Sequence, residues 1–154
     1  MTRAGKMAAD AALAAPDQST SAVYWLGYDA PDQVHNAISS DYARDGAPSL
    51  TRFQDGLRAT HEGDTPSRNT VLGHSYGSTV IGNAAKNGEL ANDIIRWAPG
   101  AVHGRDPVDG DFGGWVFPSD PGQGGTGQVG THSAYWDEDN RAREGFTRII
   151  TGQL

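Results

Sequence analysis

Thr70-Val71-Leu72-Gly73-His74-Ser75-Tyr76-Gly77-Ser78 is the stretch on which the reading of this chain turns. Thr70 to Leu72 are strand formers, and they lead without a linker into a serine flanked by glycines at both second neighbours. Beyond it, Ser78 to Lys86 reads as a helix that ends at Gly88, with Ser78, Gly82 and Ala84 keeping it slim. A strand that turns sharply into a helix through Gly-x-Ser-x-Gly is a nucleophile elbow, which lifts the serine oxygen clear of the sheet. The motif alone is a weak signal in a chain with 21 Gly, so the strand before it and the helix after it carry the inference. They predict Ser75 as a nucleophile and the Tyr76 N–H as an oxyanion donor. Gly73 and Gly77 are expected where a strained turn excludes a Cβ atom.

Working outward, the chain alternates between helix and strand patterns. Met7, Ala8, Ala11, Ala12 and Ala15 recur at helical spacing from Arg3 onward, and Pro16 stops the run. Ala22-Val23-Tyr24-Trp25-Leu26 is unbroken and apolar, the pattern of a strand buried on both faces of a parallel sheet. Pro48 suits the first turn of a second helix whose Leu50, Phe53 and Leu57 share one face, with Gly63 near its end. Ile94-Ile95-Arg96-Trp97 reads as a further short strand. Asp137 to Thr151 reads as a closing helix with Ala142, Phe146, Ile149 and Ile150 on one side. This alternation predicts an α/β fold, a mostly parallel sheet with flanking helices, in a single domain over residues 1–154.

A nucleophilic serine needs a base, and the order along the chain after an elbow is nucleophile, acid, histidine. That order removes His35, His61 and His74 and leaves His103 and His132. His132 is preferred, because it stands directly before the closing helix, where a loop histidine can swing over the serine. Asp93, just ahead of Ile94, is the candidate acid to orient the imidazole; its other reading is a turn or cap aspartate.

Composition closes off other classes. A formal charge of −7 without a basic stripe argues against nucleic acid as a partner. With no cysteine there is no thiolate chemistry and no Cys-based zinc site, and no apolar run reaches the roughly 18 residues of a membrane span. No cofactor or metal is expected, and the absence of a signal-peptide pattern points to a cytoplasmic location. Asp106, Asp109 and Asp111 lack the spacing and closing Glu of a calcium loop, so they read as a solvated acidic loop. Gly122-Gln123-Gly124-Gly125-Thr126-Gly127 lacks the Lys-Ser/Thr of a phosphate loop. Trp25, Trp97, Trp115 and Trp136 read as core and cleft lining.

The elbow, the run Trp25-Leu26-Gly27-Tyr28-Asp29-Ala30-Pro31 and the run His132-Ser133-Ala134-Tyr135-Trp136 together resemble the bacterial α/β-hydrolase family catalogued as domain of unknown function 1023. The resemblance extends over nearly the whole chain. It implies a three-layer serine-hydrolase fold with Ser75 and His132 in the nucleophile and base positions. It also implies a strand with an oxyanion loop before the first helix and a strand-helix unit after the elbow, neither of which is found in this sequence. The interval from Ser75 to His132 is shorter than the about 60 residues that two further crossovers need. Within it, Pro99 to Gly130 holds ten Gly and four Pro. The expectation is a partial α/β-hydrolase, shortened internally and lacking at least one N-terminal strand and one central strand-helix unit. Two functions follow: a serine hydrolase acting on a small-molecule carboxylic ester or similar acyl bond, or a catalytically impaired remnant that serves as a binding module or is without activity.

Overall fold

The computed structural model describes residues 2–32, 39–97, 117–120 and 133–153. The chain divides into one compact unit formed by Trp25–Asp106 and another formed by Met1–Tyr24 with Pro107–Leu154.

In the first of these, helix α1 (Asp41–Ala59), strand β1 (Thr70–His74), helix α2 (Tyr76–Ala84) and strand β2 (Asp93–Trp97) follow one another in chain order. A single 3₁₀ turn, Ala85–Asn87, closes α2, and Gly88 at φ 141° redirects the chain, a conformation few side chains tolerate. β1 and β2 pair in parallel, with Thr70 opposite Asp93 and His74 opposite Trp97. Parallel neighbours require a crossover, and α2 supplies it. The expected α/β character is therefore present in a βαβ unit. Its core gathers Ala43, Ala47 and Leu50 of α1, Val71 of β1, Val80, Ile81 and Ala84 of α2, and Leu90 and Ala91. Burying a side chain the size of Leu50, Val80 or Ile81 stabilises by about 1.5–3 kcal/mol, so these few residues dominate the packing of α1 and α2.

Two expectations are corrected here. Helix α1 starts at Asp41, seven residues ahead of Pro48, which lies inside it. The start is set by Ser39, whose Oγ accepts from the Asp41 N–H at 3.1 Å and donates to its carboxylate at 2.7 Å. Pro48 is tolerated because it and Arg44, whose carbonyl loses its helical donor, are both on the exposed face, where water replaces the missing bond. The second correction concerns Ala22–Leu26, which forms no strand. Val23 is 61%, Tyr24 70% and Leu26 70% exposed, so the run is not buried between layers. Only Trp25 of its large side chains turns inward, against the core of this unit.

In the other unit, helix α3 (Arg3–Ala14) and helix α4 (Arg141–Ile150) carry apolar faces close to those that their spacing predicts, although Ala12 of the expected α3 stripe is exposed. Met7, Ala11, Ala134, Tyr135, Trp136, Ala142, Phe146 and Ile149 are buried. Phe146 meets Phe117 edge-on at 5.7 Å and Tyr135 edge-on at 6.2 Å. Arg143 grips both carboxylate oxygens of Asp10 at 2.6–2.9 Å, with both side chains largely shielded from water. Asn140 caps α4 through the Ala142 N–H and also binds the backbone of Asp120 and Ala134. Asp137 to Asn140 belong to this turn and cap, and the helix starts four residues later than its pattern suggests.

Candidate active site

Ser75 joins the C-terminal end of β1 to the N-terminus of α2. Its backbone sits at φ 54° and ψ −127°, and among the described residues no other non-glycine residue has a positive φ. A side chain in this region costs about 1–3 kcal/mol, a strain that recurs at functional sites. Ser75 occupies the N-cap position of α2, yet its side chain does not cap the helix. The hydroxyl is thus not spent on satisfying the backbone. The cap hydrogen bond that closes the turn is made by the backbone instead, from the Ser78 N–H to the Ser75 carbonyl at 2.9 Å.

The surroundings explain the glycine on the strand side. A Cβ at Gly73 would lie 2.8 Å from the Ser78 Cα and 2.9 Å from its nitrogen, backbone atoms that cannot give way. Ser78, fully buried, donates its hydroxyl back to the Gly73 carbonyl at 2.9 Å and so pins strand to helix. Gly77 differs, because nothing lies within 4 Å of a Cβ added there. The close approach that motivates a pair of elbow glycines is thus a property of Gly73 alone.

Tyr76 follows the serine. As the first residue of α2 its N–H has no intrahelical acceptor, and the nine-residue helix adds the positive end of its dipole at that point. This is the electrostatics that stabilises a developing oxyanion. Burial pushes the Tyr76 phenol above its ordinary value of 10, so it stays protonated near neutral pH. On the neighbouring strand, Arg96 pairs in register with Gly73 and rests on Gly82, and burial lowers its pKa below the ordinary guanidinium range. The sequence marks neither side chain, since Tyr76 fills an unspecified position of the Gly-x-Ser-x-Gly motif and Arg96 lies in no motif.

Asp93 is placed elsewhere. The parallel register sets it beside Thr70, four pairs from the His74 end, or about 13 Å along the strand at 3.3 Å per residue. Its carboxylate is held by Arg68 at 2.9 and 3.1 Å, with the Thr70 hydroxyl at 3.4 Å. The structure does not bring it to Ser75. His132 and His103 lie outside the described residues, as do Asp106, Asp109, Asp111, Trp115 and the Gly122–Gly127 stretch. Among the described residues no cluster of three or more His, Asp or Glu could hold a metal ion. Among them, too, no helix is long and apolar enough to cross a membrane.

Comparison with known proteins adds an independent line. A family model described as alpha/beta hydrolase matches residues 1–103, a span that contains Ser75 and Asp93 and stops short of His132. An uncharacterized protein of Mycobacterium tuberculosis is 39% identical over 83 residues, which are 53% of this chain and 31% of that protein. A second uncharacterized protein of the same organism is 40% identical over 88 residues, 55% of this chain and 13% of that protein. An uncharacterized protein of Mycobacterium bovis matches as the first does, at 39% over 83 residues. The matched stretch therefore spans less than a third of these curated relatives. No solved structure matches the chain.

Proposed function

Because the chain belongs to the alpha/beta hydrolase family, we propose that it is a serine hydrolase acting on a small-molecule carboxylic ester or similar acyl bond. In this reading Ser75 attacks the acyl carbon while His132 takes its proton, and the Tyr76 N–H donates to the oxyanion. His132 returns the proton to the departing alcohol, and water then releases the acyl group from Ser75. The narrower likeness to the bacterial family of unknown function, read from the elbow and the two flanking runs, is part of the same proposal.

The observation that carries it is the backbone of Ser75: a serine in a strained conformation at the C-terminal end of a parallel strand, with its hydroxyl free of any capping duty. In open α/β sheets ligands bind at this end of the strands. The test is hydrolysis of a small activated ester. Ser75→Ala should reduce turnover to background with the unfolding transition preserved, and undiminished hydrolysis in that variant would sink the assignment.

A second reading, an impaired member that binds acyl compounds with little turnover, is favoured by the placement of Asp93. A histidine without its orienting acid loses about 10⁴ in kcat in the best-studied triad. Covalent reaction of Ser75 accompanied by near-background ester turnover would favour this second reading over the first.

A further inference from the structure

Tyr76 does more than follow the serine. Its hydroxyl donates to the Ser39 carbonyl at 2.6 Å and accepts from the Ala43 N–H at 3.1 Å. Both partners belong to the start of α1, more than thirty residues away in the chain. Ala43 is the third residue of that helix, where an N–H has no acceptor within the helix. The phenol thus fills a vacancy that the α1 N-terminus has to fill from outside. The ring is placed as firmly as the hydroxyl. It stacks on Tyr28 at 6.4 Å and 17°, and Tyr28 stacks in turn on Trp25 at 5.9 Å and 16°. The row fits because Gly46 of α1 leaves room: a Cβ there would lie 2.7 Å from the Tyr28 Cβ. One residue therefore offers its N–H beside Ser75 while its side chain is bolted to a different helix.

We infer that Tyr76 is a positioning residue whose phenol, through Ser39 and Ala43, locks the elbow to α1 and so holds the Tyr76 N–H where an oxyanion forms. The inference rests on the serine-hydrolase reading for its catalytic half and on the hydrogen bonds alone for the lock. Ala43, Ala47 and Leu50 of α1 also share an apolar cluster with Val80, Ile81 and Ala84 of α2, and apolar contacts lack the directionality of a hydrogen bond. A donor displaced by an ångström at a reacting centre costs up to about a hundredfold in rate.

Amide hydrogen exchange followed by NMR in the intact chain tests the lock without any substrate. The Ala43 N–H should be protected in the wild type, and Tyr76→Phe, which keeps the stacked ring and the backbone N–H, should raise its exchange by at least about tenfold. In parallel, that variant should lower kcat for a small activated ester by about tenfold or more with KM within about twofold, since the donor acts in the transition state. An unprotected Ala43 in the wild type overturns the lock whether or not Tyr76→Phe folds. Faster Ala43 exchange with kcat unchanged overturns the positioning role. If the wild type neither hydrolyses the ester nor reacts with a fluorophosphonate, the hydrolase reading and the catalytic half fall together, while Ala43 exchange still decides the lock.

Discussion

The two ends of the β1–β2 pair are built for different purposes. At the N-terminal end, Asp93 and Arg68 meet as a bidentate ion pair beside Thr70, whose hydroxyl also reaches the Asp93 carboxylate. At the C-terminal end, Ser75 is held in a strained backbone with no cap to make, and Tyr76 presents the first N–H of a helix. One end spends these polar groups on holding the strands together, and the other keeps the Ser75 hydroxyl clear of capping. A parallel sheet makes this division natural, because all its strand ends that face ligands lie on one side.

Breaking the C-terminal end should have the larger consequences. If His132 serves Ser75, His132→Ala lowers ester turnover by at least about a hundredfold, and His103→Ala leaves it unchanged. Activity in the wild type then falls toward acid with a midpoint near the ordinary histidine value of about 6.5, since the base must be neutral. A pH profile without that limb, or an exchange of behaviour between the two variants, would move the base to another residue.

The next effect is on stability and separates the two elbow glycines. Gly73→Ala forces a Cβ onto the Ser78 backbone and should destabilise by about 1–3 kcal/mol, the usual cost of overpacking. Gly77→Ala enters open space within a helix and should stabilise by about 0.5–1 kcal/mol. Urea unfolding of both variants measures the difference, and equal losses would mean that the turn excludes side chains on both sides.

The smallest effect is expected at the other end. Asp93→Asn weakens a pair whose arginine is half exposed, worth about 0.2–1 kcal/mol and less in high salt. Turnover should stay within about threefold, because nothing at that end reaches Ser75. A loss comparable to that of His132→Ala would erase the distinction between the two ends.

Where the chain could be read in advance, local signals sufficed. The strand-turn-helix around Ser75 is written in adjacent residues, as are the helix from Arg3 and the apolar face of Ala142, Phe146 and Ile149. Ala22–Leu26 shows the opposite case, because an apolar run has the same appearance whether or not a neighbouring strand is present to pair with it. Ser39-Ser40-Asp41 is a helix-start signal in its own right, and it competes in the sequence with the one that Pro48 gives. Asp93 was legible in principle: a residue that opens a parallel strand stands at the end away from the elbow, and Arg68 lies just ahead of β1 at that same end. The bond from Tyr76 to Ser39 had no local trace, since it joins residues that only the packing of α1 against the elbow brings together.

A fluorophosphonate reacts covalently with a nucleophilic serine, so it tests the role proposed for Ser75 directly. Incubating the full chain with the reagent and mapping the modified peptide by mass spectrometry reads the answer at one residue. A single adduct on Ser75 is expected, one that disappears in Ser75→Ala and upon unfolding. An unmodified Ser75, or an adduct that persists in the unfolded chain or maps to another serine, would rule out Ser75 as the nucleophile.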